Sequence, residues 1–240
     1  IKKIEITTNK KRAWFKNILN AIIRFNSKES KTKHSNWFSF RIDDKLKKRF
    51  NSKITVHFTN NISCKFKGKI RMTGDLWWHI DWQEGKPLAS IYVELLEGNI
   101  NSVTKFKLFL PKSRNFDNEI FVSNFVREAG FLAPKTFLTK ASVNGIDSSY
   151  IFQEDIRKEL LESQGFREGP ILEGDERFTI MLKEENMIPE ITLSRLVNKN
   201  FSARSHTNKD ISLTAVSKLN QIYLQHHQID KKNLKLSPPD

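Results

Sequence analysis

The chain has 240 residues and a single cysteine, Cys64. An intrachain disulfide and a Cys-rich zinc site are therefore excluded. No apolar run approaches the ~20 residues that a membrane-spanning helix needs. The six histidines are His34, His57, His79, His206, His226 and His227. None shows metal-motif spacing with another His or with Cys64, so a zinc motif has no support. Gly-x-Ser-x-Gly, a Walker loop and Gly-x-Gly-x-x-Gly are all missing, which removes the sequence warrant for acyl-transfer and P-loop chemistry. There is no internal repeat and no low-complexity tract. Acidic side chains are the minority, 27 against 41 basic ones, for a formal net charge of +14.

What is present describes a folded chain. Hydrophobic residues make up 38% and the chain carries 18 Phe and 5 Trp, far more than a disordered chain of this length would. The length suits one large domain or two small ones. Much of the basic excess sits in residues 1–50 and after residue 195. A surface this basic favours anionic partners such as phosphates, nucleic acid, acidic polysaccharide or anionic lipid. The Lys-, Asn- and Ile-rich composition is equally what an AT-rich genome produces.

Residues 10–26 carry a helical stripe at Phe15, Ile18, Leu19, Ile22 and Ile23. Its polar face is basic, which suits docking on the domain or contact with an anionic membrane surface. Residues 27–36 read as a linker. Lys53–Thr59 and Ile62–Met72 alternate on either side of Asn60-Asn61, a hairpin by period and by turn chemistry. Ala89–Leu96 and Thr104–Leu110 are two further strands. Residues 117–130 read as a helix that stops at Gly130. Phe137–Val143 and Ser148–Phe152 flank Asn144-Gly145, a second hairpin. Residues 155–164 and 209–228 read as helices and 165–177 as an ordered loop. Leu236–Asp240 reads as an exit segment. The order predicts an α+β fold: an antiparallel sheet with packed helices.

Several segments could carry chemistry. Lys69–Asp75 ends a strand in a turn at Gly74, whose backbone N–H groups could cradle phosphate; an ordinary turn is the plainer reading. Trp77, Trp78, His79 and Trp82 follow and could stack a base or a sugar, or simply pin the loop. Lys105 and Lys107 share one strand face, opposite Phe106 and Leu108. Arg114 is an anion contact by its fork of donors. In residues 150–177 a strand-like run ends in a carboxylate, Glu154, followed by a charged helix, Arg167-Glu168-Gly169-Pro170 and an acidic cluster. A carboxylate at a strand mouth with basic partners suits metal, phosphate or proton chemistry. A solvated helix with ordinary ion pairs fits the same residues.

Together these segments resemble the CotH kinase-like family, the atypical kinases related to spore-coat protein H, and most closely its bacterial branch. The resemblance covers roughly residues 65–177. It rests on Ile70–Asp75, on Lys105–Leu108 with Pro111 and Arg114-Asn115, and on Glu119, Arg127–Gly130 and Val143–Gly145. It continues through Glu154, Lys158-Glu159-Leu160, Glu162 and Arg167–Pro170. It implies a reduced protein-kinase-like fold, incomplete at the C-terminus, that binds ATP with Mg or Mn and transfers phosphate to a protein. By that resemblance residues 37–177 are the nucleotide-binding lobe, after the basic helix and linker of 1–36 and before a helical segment over 178–240. Arg71, Gly74, Lys105, Lys107, Glu154, Arg167 and Glu168 would line the cofactor site, with Glu154 on the metal. Thr73 stands where the family often has a basic residue, and Tyr92 and Glu94 where it has lysines. Residues 178–240 do not match the half that carries the family's metal-binding and catalytic aspartates, so no catalytic residue is assigned and the chain reads as part of a kinase. The alternative is a non-catalytic basic module that grips an anionic polymer, a membrane surface or another surface partner. The compartment stays open, with the cell envelope as one setting.

Overall fold

A computed structural model describes residues 1–29, 42–83, 85–175 and 193–226. The chain divides into two compact units, Ile1–Asp155 and Ile156–Asp240. The expected linker over 27–36 lies outside the described residues from 30 onward, and residues 27–29 belong to the preceding helix. Residues 176–177 of the acidic cluster, Leu236–Asp240, His34 and His227 also lie outside them.

In the first unit seven strands form a closed barrel. They are β1 (Lys3–Thr8), β2 (Phe50–His57), β3 (Ser63–Met72), β6 (Ile91–Leu95), β7 (Lys105–Phe109), β8 (Thr136–Val143) and β9 (Ile146–Glu154). The order around the barrel is β1-β2-β3-β6-β7-β9-β8. Neighbours are antiparallel except at the closure, where β1 runs parallel to β8 with Lys3 opposite Lys140 and Ile6 opposite Val143. A separate hairpin, β4 (Ile80–Gln83) and β5 (Lys86–Ala89), lies between β3 and β6 in sequence.

Period-two alternation decides which side chains fill the barrel. Ile4 and Ile6 of β1, Ile54 and Val56 of β2, and Ile70 and Met72 of β3 are at most 1% exposed. Ile91 and Val93 of β6, Phe106 and Leu108 of β7, and Tyr150 and Phe152 of β9 complete the interior. Phe106 and Phe137 both stack on Phe152, with ring centroids 4.6 and 4.5 Å away. Gly68 faces this interior, where a Cβ would lie 2.4 Å from the Ile54 side chain and 2.8 Å from the Glu94 carbonyl. Only glycine lets the strands approach so closely there.

The helix α1 (Lys11–Glu29) forms as its stripe predicts; of that stripe Ile18 is buried, Phe15 and Ile22 pack partly against the core, and Ile23 stays exposed. Trp14, Ile18 and Ala21 belong to the core, and Trp14 meets Phe50 edge-on at 5.5 Å. The basic helix is therefore docked by its apolar face.

The two hairpins share one sheet, but the α+β, kinase-like arrangement of a sheet with packed helices does not form. The sheet closes on itself. The short strand β1, not anticipated from the sequence, supplies the missing edge partner. Closure buries Ile4 and Ile6, worth about 2 kcal/mol each, and leaves no sheet face that needs a helical layer. Asn144 secures the closure. It adopts φ 54° in the β8–β9 turn beside Gly145 at φ 88°. Its Oδ1 accepts the Thr8 N–H at 2.8 Å and the Thr8 hydroxyl at 3.0 Å, and its own N–H donates to the Ile6 carbonyl at 2.8 Å. The helix α2 (Asp117–Glu128) buries only Ser123, while Phe121 and Phe125 stand exposed and stack on each other at 6.2 Å.

The second unit contains α3 (Lys158–Ser163), β10 (Leu172–Asp175) paired antiparallel with β11 (Leu193–Leu196), α4 (Lys199–Ser202) and α5 (His206–His226). The expected loop over 165–177 thus holds a strand at its end. Asn198 fixes the chain here, accepting the Ile171 N–H at 2.8 Å and donating to the Gly169 carbonyl at 2.7 Å. The helix α5 forms as expected, yet Ile211, Leu213 and Ile222 of its apolar stripe are exposed.

Candidate anion-binding face

The alternation that fills the barrel also sorts the charges outward. Along β3 the outward positions are Lys65, Lys67, Lys69 and Arg71. They recur every second residue, roughly 6.6 Å apart along the strand. Lys53 of β2 stands opposite Lys67. Across the next strands Lys69 faces Glu94, which faces Lys105, and Arg71 faces Tyr92, which faces Lys107. None of Lys53, Lys65, Lys67, Lys69 and Arg71 has an ion-pair partner among the described residues.

Glu94 is the carboxylate set into this row. Lys105 Nζ lies 2.6 Å from its Oε1 and Arg49 Nη1 2.9 Å from its Oε2. The hydrogen bond from Lys105, and then the charges of Lys105, Arg49 and Lys69, hold its carboxyl below the usual range. The cations around Glu94 outnumber it, which leaves this part of the face positive.

The row continues to an open groove. The Arg71 guanidinium lies 4.8 Å over the Tyr92 ring, and the Tyr92 hydroxyl donates to Asp155 Oδ2 at 3.0 Å. Lys107 Nζ is 3.6 Å from Asp155 Oδ1 and 5.9 Å from the Phe109 ring. Arg114 covers the same ring at 4.1 Å, a desolvated cation–π stack. Arg114, Trp78, Lys112, Asn115 and Asn118 line the groove, of about 580 Å³. Glu119 also lines it and accepts from Gln153 at 2.5 Å. Beneath it lies His79, buried and 5.6 Å from Phe109. Burial and the Arg114 charge push its pKa down to about 4. The Ser90 hydroxyl accepts the Leu110 N–H at 3.0 Å and shares a hydrogen bond with His79 Nδ1 at 3.1 Å.

The expected site residues do not all converge. Arg71, Lys105 and Lys107 share the outer face. Glu154 points the other way, into the barrel beside Phe106 and Phe152, and is 2% exposed. Its Oε2 accepts the Lys135 backbone N–H at 3.2 Å. Two strands, β7 and β6, stand between Glu154 on β9 and the Gly74 turn after β3 in the barrel order. The physical reason Glu154 faces inward is parity: it is two residues on from Phe152, and Lys105 and Lys107 are each one residue from an inward side chain. Gly74, at φ 89°, is explained by packing, because a Cβ there would lie 2.0 Å from the His79 ring. Arg167 and Glu168 belong to the second unit, where Arg167 is exposed and Glu168 pairs with Arg204 at 2.6 Å.

Glu154 stands apart from other possible metal ligands among the described residues. Among the described residues no three His, Cys, Asp or Glu side chains are placed to share a cation, and Glu154 already takes a backbone N–H. The ladder of Lys53, Lys65 and Lys67 escaped the sequence reading, although Lys at every second position of a strand was a visible signal. Comparison with protein-family models and with curated proteins finds no match to this chain.

Proposed function

We propose that the barrel is a non-catalytic binding module for an anionic polymer, gripped along the outer face of β2, β3, β6 and β7. The observation that carries this reading is the β3 ladder, four consecutive outward positions occupied by Lys65, Lys67, Lys69 and Arg71. A line of evenly spaced cations suits a linear chain of negative charges better than one compact anion. Each contact releases condensed counterions, so affinity builds from several weak contacts. The carboxylates on this face, Glu94 and Asp155, are held by Lys105, Arg49, Lys107 and Tyr92, which leaves the reading one of binding.

A second reading is nucleotide binding, as the CotH-like resemblance implies. The groove beside Arg114 and Trp78, about 580 Å³, is of a size to hold one. Calorimetric titration separates the two, with inorganic polyphosphate in one arm and ATP with Mg²⁺ in the other. Polyphosphate should bind, and Lys65→Gln/Lys67→Gln/Lys69→Gln should weaken it at least tenfold. Binding of ATP alone, abolished by Arg114→Ala and indifferent to the ladder, selects the second reading. Robust ATP-dependent autophosphorylation would overturn the non-catalytic reading.

A further inference from the structure

Docking α1 by its apolar face leaves its polar face over the start of β2, and between them lies a groove of about 540 Å³. Four cations line it: Lys10 and Lys16 from the helix side, Lys48 and Arg49 from the approach to β2. Lys10, Lys16 and Lys48 have no carboxylate partner among the described residues, and none of the ten lining residues is acidic. Four amides, Asn9, Asn17, Asn20 and Asn51, alternate with the cations. The floor is fixed. Phe50 packs edge-on against the buried Trp14, and Asn17, 6% exposed, donates its amide to the Leu46 carbonyl.

We propose that this groove binds a phosphate monoester that also carries hydroxyl groups. Three unpaired ammonium groups around one pocket match a dianion, which holds several cations at once, better than a single carboxylate. Asparagine amides both donate and accept, which a hydroxylated ligand uses and a bare ion does not. The groove is concave and compact, unlike the extended β3 ladder, so it selects a small headgroup. Such a group arrives on a soluble sugar or glycerol phosphate, or on an anionic lipid headgroup at a membrane surface. The site is independent of the polymer reading above, because none of the β3 cations lines it.

The test uses the full chain and follows the Asn side-chain amides by NMR. One titration uses sn-glycerol 3-phosphate. The other uses vesicles of phosphatidylcholine with and without phosphatidylinositol 4-phosphate, followed by co-sedimentation. We expect saturable shifts at the Asn9, Asn17, Asn20 and Asn51 amides, and at least fivefold weaker binding in Lys10→Gln/Lys16→Gln/Lys48→Gln. All three substitutions are on exposed side chains, and unchanged dispersion of the barrel resonances verifies the fold. Saturation by glycerol phosphate assigns a soluble ligand, and binding only to the phosphatidylinositol 4-phosphate vesicles assigns the headgroup. No response to either probe, or equal affinity in the triple variant, overturns the site whether or not polyphosphate binds the β3 ladder.

Discussion

His79 shows how a single side chain sets a pH dependence here. Its imidazole is buried beneath Arg114 and Phe109, and its pKa falls from 6.5 to about 4. Between those values the unfolded chain binds a proton that the folded chain refuses. Stability is therefore full above pH 6.5 and declines as the pH falls toward 4. At about 1.4 kcal/mol per pH unit, the loss amounts to about 3 kcal/mol. Imidazole NMR signals of the folded protein should show His79 still neutral at pH 5.5. A midpoint for His79 near 6.5 would contradict the burial account. Gly74 belongs to the same arrangement: its lack of a side chain lets the His79 ring lie against the turn. The sequence showed Gly74 and His79 close together, but a turn glycine that cradles phosphate and one that admits a ring look alike in one dimension.

At the scale of elements the decisive one is β1. Its six residues carry only Ile4 and Ile6 as apolar markers, and its partner β8 is far along the chain. Thr8 and Asn144, which join the two, are 136 residues apart. Asn144→Ala should remove both hydrogen bonds to Thr8 and put at φ 54° a residue less at ease there than Asn, costing about 2–3 kcal/mol in urea unfolding. Asn144→Gly keeps the backbone and should cost less, about 1–2 kcal/mol. If Asn144→Ala unfolds within 0.5 kcal/mol of the parent, this turn does not secure the closure. Local alternation made β2, β3, β6, β7 and both hairpin turns legible, because each strand announces its own face. The parallel β1–β8 contact left no local trace, so the barrel read as an open sheet in need of helices. The same parity rule, applied strictly, separates Glu154 from Lys105 and Lys107. A motif read as a string had brought them together.

At the scale of the molecule, only part of the basic excess behind the net charge of +14 lines up along one strand face. The barrel turns apolar side chains inward and presents Lys53, Lys65, Lys67, Lys69 and Arg71 outward, with Glu94 among them already shared by Lys105 and Arg49. A composition bias alone would scatter lysines over every face. The unbroken outward row of Lys65, Lys67, Lys69 and Arg71 on β3, with Lys53 beside it on β2, is what the binding account rests on. The most direct measurement is the salt dependence of polyphosphate binding, comparing the parent chain with Lys65→Gln/Lys67→Gln/Lys69→Gln. Four to five phosphate contacts predict a slope of log K against log salt on the order of −3, flattened by about 2 in the variant. A slope near zero for the parent, or an identical slope for the two proteins, would contradict the assignment of this face.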